Sequence, residues 1–384
     1  MADTDPLLMI PGPTNLPPEV REVLGAASFY HRGEKMASLL KRCERGLSRL
    51  MGLTGDVLIL TSSGTGALEA AITSLLSPGD RVLAIEGGKF GERMAQIASA
   101  FGAQVTSLEV EPGRSADPTD VADAITASHP RAVLTVYNET STGVMHPIRA
   151  IAAAAKAGGA RTLVDCVSCL GGVPVDADDR GLDVIVAGSQ KCLMLPPGLG
   201  FAGVSEGAWP LVESAEMPRY YFDLQRARES LQKGQTPFTP ATGLIAALAV
   251  ALDLIEAEGL DCVFARHAAM AAATRAAMEA AGLELFAEEG ARSETVTAVR
   301  SPVDSVKLVA LLREDHDVLI SGGQGDLKGR IFRIGHMGTV TLAQIERTVE
   351  ALADGLSNLG YKCDAEEMIA AAREAAGRHG AGVN

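Results

Sequence analysis

Aromatic side chains and positive charge are what this chain is short of. Phe, Trp and Tyr make up 4% of it, with a single Trp, so aliphatic and alanine side chains must fill the interior. Lys plus Arg number 34 against 48 Asp plus Glu, a net charge of −14. That balance argues against nucleic acid or an anionic membrane held through bulk electrostatics. No stretch reaches the ~18 uninterrupted apolar residues of a membrane span. The opening segment MADTDPLLMIPGP carries acids where a signal peptide has a basic region, and a cytoplasmic protein is expected. Six cysteines scattered over 384 residues make no disulfide framework and are expected as thiols, the CxxC of Cys166 and Cys169 included.

With 47% hydrophobic residues, the chain is long enough to bury a full core and to form two domains. Short β-rich runs alternate with Ala-rich helical segments through the first two-thirds. Residues 56–61, 81–86, 104–110, 131–137, 161–166, 183–188 and 199–205 read as strands. Residues 65–76, 90–101, 118–128 and 148–158 read as helices. Such alternation predicts right-handed crossovers and a mainly parallel, buried sheet, an α/β fold. From about residue 260 the pattern becomes a long Ala-rich helix, a strand near 294–300, a helix near 304–314, strands near 317–321 and 329–335, and a final helix. Ile345, Val349, Leu352, Leu356 and Leu359 mark the inward face of that helix. A smaller α+β domain is predicted there, with GRHGAGVN as a frayed tail.

Lys191 is the most informative residue. It ends the run DVIVAGSQK, which places it at the carboxyl end of a strand, the edge where open α/β sheets bind ligands. A lysine amine held there, partly desolvated, forms a Schiff base with an aldehyde cofactor. A second apolar run, RTLVD, ends in Asp165. An acid and a lysine at neighbouring strand ends suit pyridoxal phosphate, whose ring nitrogen needs a carboxylate and whose aldehyde needs an amine. The third signal is Ser63-Gly64-Thr65-Gly66, between a strand and a helix. Its backbone amides suit a phosphate, although such a turn taken alone is also an ordinary helix N-cap. It is no nucleotide P-loop, since no GxxxxGK follows, and GTGALE breaks the dinucleotide GxGxxG at its last position.

The motifs PGPTNLPPEV, SSGTGALEAA, GKFGERM, NETSTGV, VDCVSCLGG, GSQK and FRIGHMG, in this order, resemble those of the class V (fold type I) pyridoxal-phosphate aminotransferases. Within that class the resemblance points to the alanine–glyoxylate and serine–pyruvate group. It implies the fold type I architecture: a large domain with a mainly parallel seven-stranded sheet (21–258), a smaller C-terminal α+β domain (259–384), and an N-terminal segment (1–20) over the active site. By the resemblance, Lys191 carries the cofactor and moves the proton from the substrate α-carbon, while Asp165 pairs with the ring nitrogen. Val167 and Phe90 pack on opposite ring faces. Ser63, Gly64, Thr65 and Gln190 belong to the phosphate side, and Thr140 lies near the ring hydroxyl.

Arg333 in FRIG is implied as the clamp on the substrate carboxylate, its planar fork matching two parallel hydrogen bonds; Arg330, of opposite strand parity, should face elsewhere. Pro11 and Gly12 contribute backbone contacts, with Tyr30 and His31 as pocket lining. Thr236, in QKGQTPFTPATG, resembles the residue that family dimers send to the neighbouring subunit's phosphate, with Lys233 beside it, which implies a homodimer. The implied reaction is transamination between a small amino acid, alanine or serine, and a small 2-keto acid, glyoxylate or pyruvate. A class V lyase of the kynureninase or desulfurase kind, a transaminase for another donor, and a non-catalytic nucleotide-binding module are the alternatives. A desulfurase needs a mobile-loop cysteine, which neither Cys262 in a predicted helix nor Cys363 past the last helix supplies.

Overall fold

The computed structural model describes residues 6–379. Helix α1 (Glu34–Met51) precedes the main sheet and closes at Gly52, whose φ of +60° supplies the left-handed residue that ends a helix. Strands and helices then alternate as the patterning predicts: β1 (Asp56–Ser62), α2 (Gly64–Leu75), β2 (Arg81–Glu86), α3 (Lys89–Ala100), β3 (Gln104–Glu109), α4 (Pro118–Ser128), β4 (Ala132–Val136), α5 (Ile148–Ala157), β5 (Arg161–Asp165), β6 (Val184–Gly188) and β7 (Gly198–Val204). These seven strands form one sheet in the order β1-β7-β6-β5-β4-β2-β3. Only β7 is antiparallel to its neighbours. Because β1 and β6 flank β7, they run the same way, and six of the strands end at one edge.

Period-two alternation sends successive side chains of β5 and β6 to opposite faces. Val164, Ile185 and Ala187 pack with Leu40, Leu47 and Leu248 on one side, while Leu163, Val184 and Val186 pack with Leu68 and Ile72 on the other. Helices therefore cover both faces, which is why β4 and β6 are buried along their whole length.

Helices α6 (Thr242–Glu258) and α7 (Leu260–Ala280) are separated by Gly259 at φ +86°. Beyond them lie β8 (Val296–Arg300), α8 (Ser305–His316), β9 (Ser321–Gly322), β10 (Ile331–Gly335), α9 (Leu342–Asn358) and α10 (Ala365–Arg378). The sheet here is antiparallel, in the order β8-β10-β9.

Two expectations need correction in this part. The single strand predicted at 317–321 is divided: Val318–Leu319 pairs in parallel with Leu7–Leu8, whereas Ser321–Gly322 pairs with β10. The chain also continues past the helix read as final. Asp364 caps α10 by accepting from the amides of Glu366 and Glu367, and Met368, Ala372 and Ala376 pack with Ala269, Ala273 and Ala277 of α7. Cys363 thus lies between two helices rather than beyond the last. Of the tail expected to fray, Gly377 and Arg378 belong to α10, and residues 380–384 lie outside the described residues. Among the described residues no helix is long and apolar enough to cross a membrane. The six cysteines are unpaired.

Candidate active site

Five segments leave carboxyl ends along that sheet edge. β1 leads to Ser63, Gly64 and Thr65, β2 to Phe90, β4 to Thr140, β5 to Asp165 and Val167, and β6 to Gln190 and Lys191. Ser63 caps α2, its hydroxyl accepting from Gly66 N at 3.2 Å. This is the ordinary cap the turn suggested. It leaves the amides of Gly64 and Thr65 in the first turn, where a helix offers them no intrahelical acceptor and its dipole favours an anion. A β-carbon on Gly64 would lie 2.9 Å from Val167 Cγ2, so the turn and Val167 approach too closely for a side chain. Beside them, Gln190 Oε1 is buried without a hydrogen-bond partner among the described residues.

Lys191 is 9% exposed, and its Nζ donates to the carbonyl of Pro11. Thr14 Oγ1 donates to the carbonyl of Lys191 at 3.1 Å. Burial pushes the amine down to about 8, with Cys192 and Asp165 opposing the shift and Arg333 and Arg93 adding to it. Asp165 is buried too, and burial raises its carboxyl to about 6 against the pull of the Val167 amide and of Lys191. Its Oδ1 accepts from Val167 N at 2.8 Å; the other oxygen takes no hydrogen bond from the described residues.

Arg330, expected on the same strand as Arg333, lies exposed in the turn before β10, and Arg333 sits on β10, 5% exposed. Its Nε and Nη2 donate to Gly322 O at 3.1 and 2.8 Å, and Nη1 donates to Thr140 O at 3.0 Å. A guanidinium has five N–H groups, so one remains on each terminal nitrogen. Burial lowers its pKa to about 10, with Glu139 opposing, and the group stays charged at neutral pH.

Two residues here escaped the sequence reading. Arg93 lies one helical turn beyond Phe90, its guanidinium carbon 4.8 Å from the Phe90 ring centroid and Nη1 3.4 Å from Thr65 Oγ1. Glu139, beside Thr140, is fully buried and accepts hydrogen bonds from Phe90 N and Gly91 N at 3.0 and 3.2 Å. Both fall inside quoted motifs, and a charged residue in a strand-end motif was the available signal. Other expected residues stand apart from Lys191 in this chain. Tyr30 is 69% exposed and packs edge-on to His31. Thr236 donates its hydroxyl to Phe238 O at 2.7 Å, and Lys233 is exposed.

A buried amine and a buried carboxylate at neighbouring strand ends, beside a helix N-terminus open to an anion, suit an α/β enzyme that uses an aldehyde cofactor. Residues 12–335 match the family described as Aminotransferase class-V, and the chain belongs to that family. Its cofactor is pyridoxal 5′-phosphate, which these residues fit: among the described residues nothing partners the buried Gln190 oxygen or one of the Asp165 oxygens, and a β-carbon on Gly64 would fill the turn. The chain is 41% identical over 360 residues to a Synechococcus protein named soluble hydrogenase, small subunit, covering 92% of this chain and 94% of that protein. It is 36% identical to the L-aspartate–glyoxylate aminotransferase of Paracoccus denitrificans, covering 96% and 95%. The crystal structure of pyridoxamine–pyruvate aminotransferase from Mesorhizobium loti superposes with a TM-score of 0.93 at 34% identity, over 98% of this chain and 99% of that one.

Proposed function

We propose that this chain transfers an amino group from a small amino acid, alanine or serine, to a small 2-keto acid, glyoxylate or pyruvate. The observation that carries the reading is the fork of Arg333. Three of its N–H groups are fixed by Gly322 and Thr140, and the two that remain match one carboxylate. Donor and acceptor of such a reaction both bear that carboxylate. The two aminotransferases described above are named for glyoxylate and pyruvate, which supports a small keto acid here.

When bound, the cofactor supplies an aldehyde and an electron-withdrawing ring. Lys191 Nζ takes the proton from the substrate α-carbon. Its lowered pKa leaves on the order of a tenth of it uncharged at pH 7, against about 0.03% for an ordinary lysine. Asp165 holds the ring nitrogen's proton, and its own burial disfavours its charge until that partner arrives. Val167 and Phe90 would pack against the cofactor's ring, Ser63, Gly64, Thr65 and Gln190 would hold its phosphate, and Thr140 would lie near its ring hydroxyl. Pro11 and Gly12 line the Lys191 side.

The domain division proposed is 21–258 and 259–384, supported by the helix break at Gly259, with 1–20 laid over the site. Residues 1–5 lie outside the described residues. A homodimer is proposed, with Thr236 and the neighbouring Lys233 facing the other subunit's site. Tyr30, Tyr220 and Tyr221 are large exposed aromatics in a chain with few of them, as a covered surface requires. A cytoplasmic location agrees with six unpaired cysteines, four of them buried. The test is a matrix of alanine, serine, aspartate and pyridoxamine against glyoxylate and pyruvate, with cofactor absorbance followed in each half-reaction. Turnover confined to a donor without a carboxylate would overturn the reading.

A further inference from the structure

Helix α3 begins with a residue that cannot cap it. Its N-cap is Gly88, which offers no side-chain acceptor, so the first-turn amides of Lys89, Phe90 and Gly91 need acceptors from elsewhere. All three find them in the loop after β4. Lys89 N donates to Ser141 Oγ at 3.0 Å, and Phe90 N and Gly91 N donate to Glu139 Oε2. Glu139 Oε1 in turn accepts from the amide and hydroxyl of Ser141 at 3.1 and 2.5 Å. Glycine at position 88 permits this, since a β-carbon there would lie 2.3 Å from Ser141 Oγ and 2.7 Å from Glu139 Cδ.

The side-chain carboxylate of Glu139 therefore accepts four hydrogen bonds. Its neighbour Thr140 gives its carbonyl to Arg333 Nη1. One buried carboxylate thus joins the segment bearing Phe90 to the segment that orients the substrate fork. We propose that Glu139 is a positioning residue for this reaction: it fixes Phe90 against the cofactor ring and, through Thr140, holds Arg333 at the substrate carboxylate. The inference rests on the roles proposed above for Phe90 and Arg333.

The chemistry of the four donors makes the isosteric variant the informative one. In Glu139→Gln the amide nitrogen must face either two backbone N–H groups or the Ser141 amide and hydroxyl, donor against donor. At least one buried amide is left without an acceptor. Cofactor binding to the apoenzyme is titrated by absorbance for the wild type, Glu139→Gln, Phe90→Ala and the double variant. Hydrogen exchange at Lys89, Phe90 and Gly91 is measured on the apoenzymes, and KM for the amino donor on the loaded forms.

Glu139→Gln should raise the cofactor Kd roughly tenfold to a hundredfold, release protection of the three amides, and raise the donor KM. Phe90→Ala should raise the cofactor Kd. The double variant should bind cofactor no worse than about twofold below the weaker single variant, because both act through one contact. Glu139→Gln with unchanged Kd and protected amides overturns the inference, and so do losses that multiply in the double variant. If Phe90→Ala weakens binding while Glu139→Gln does not, the stacking reading stands and the positioning one falls; if Phe90→Ala has no effect, both fall. Should Glu139→Gln fail to fold, Ser141→Ala removes one donor to Glu139 and the acceptor of Lys89. A several-fold rise in cofactor Kd then supports the inference, and an unchanged Kd overturns it.

Discussion

The α-carbon of Gly12 faces the side chain of Lys191 so closely that a β-carbon there would lie 2.5 Å from Lys191 Cδ and 2.8 Å from its Nζ. Gly12 also has a φ of +95°, a conformation other residues adopt only at a cost of about 1–3 kcal/mol. Gly12→Ala should therefore displace either the N-terminal segment or the amine. The expected outcome is a large loss of borohydride-reducible cofactor with little change in the far-ultraviolet circular dichroism. Full covalent loading of the variant would show that the contact is tolerated.

Lys191→Ala should abolish turnover and the covalent cofactor link. A finer expectation concerns pH in the wild type. The uncharged amine is the reactive form, and its folded-state pKa is lowered to about 8 by burial. Cofactor incorporation into the apoenzyme should rise with pH up to about 8 and then level off, rather than climbing on toward the 10.4 of an exposed lysine. Stopped-flow absorbance across pH 6–10.5 reads this directly.

Asp165→Asn should act in opposite directions on apoenzyme and cofactor. Its folded-state pKa is raised to about 6 from 3.8, so the folded apoenzyme binds this proton more tightly than the unfolded chain. The buried charge then costs stability above pH 6, on the order of 3 kcal/mol, and the cost vanishes below about pH 4. The Asn variant should unfold at higher temperature than wild-type apoenzyme at pH 8 and at a similar temperature near pH 4. Its cofactor affinity should fall, since the ring nitrogen loses its partner. A variant less stable than wild type at pH 8 would contradict the burial account.

Arg333→Ala should reduce kcat/KM for the amino acid roughly tenfold to a hundredfold, the equivalent of about 1.5–3 kcal/mol for hydrogen bonds to a charged group. Arg333→Lys should recover part of this, keeping charge but losing the fork that Gly322 and Thr140 hold in place. Cofactor binding should survive both changes. Intact alanine and glyoxylate kinetics in the Ala variant would place the carboxylate clamp elsewhere.

The main sheet and the cluster at its edge were legible because the signals were local. Apart from the edge strand β3 the strands are largely apolar runs, and Asp165 and Lys191 stand at the end of their own. Contacts between distant segments left no such trace. Leu7–Leu8 is too short to show a period, and only its pairing with Val318–Leu319 makes it a strand. Helix α10 carries an inward face built largely of alanine, which hardly stands out in a chain rich in alanine throughout. Glu139 reads as a polar residue in a turn until the amides of Phe90 and Gly91 are seen to converge on it.

The N-terminal segment also carries a consequence for synthesis. Leu7 N donates to Asp317 O, Met9 N to Leu319 O, and Gly335 N to Met9 O, while Pro11, two residues on, receives the Lys191 amine. The partners of Leu7 and Met9 emerge from the ribosome more than 300 residues after them. At ~5–20 residues per second that is a wait of roughly fifteen seconds to a minute. The main sheet has all its strands well before this moment, so the wall of the site beside Lys191 is set in place last, by a segment made before any strand of that sheet.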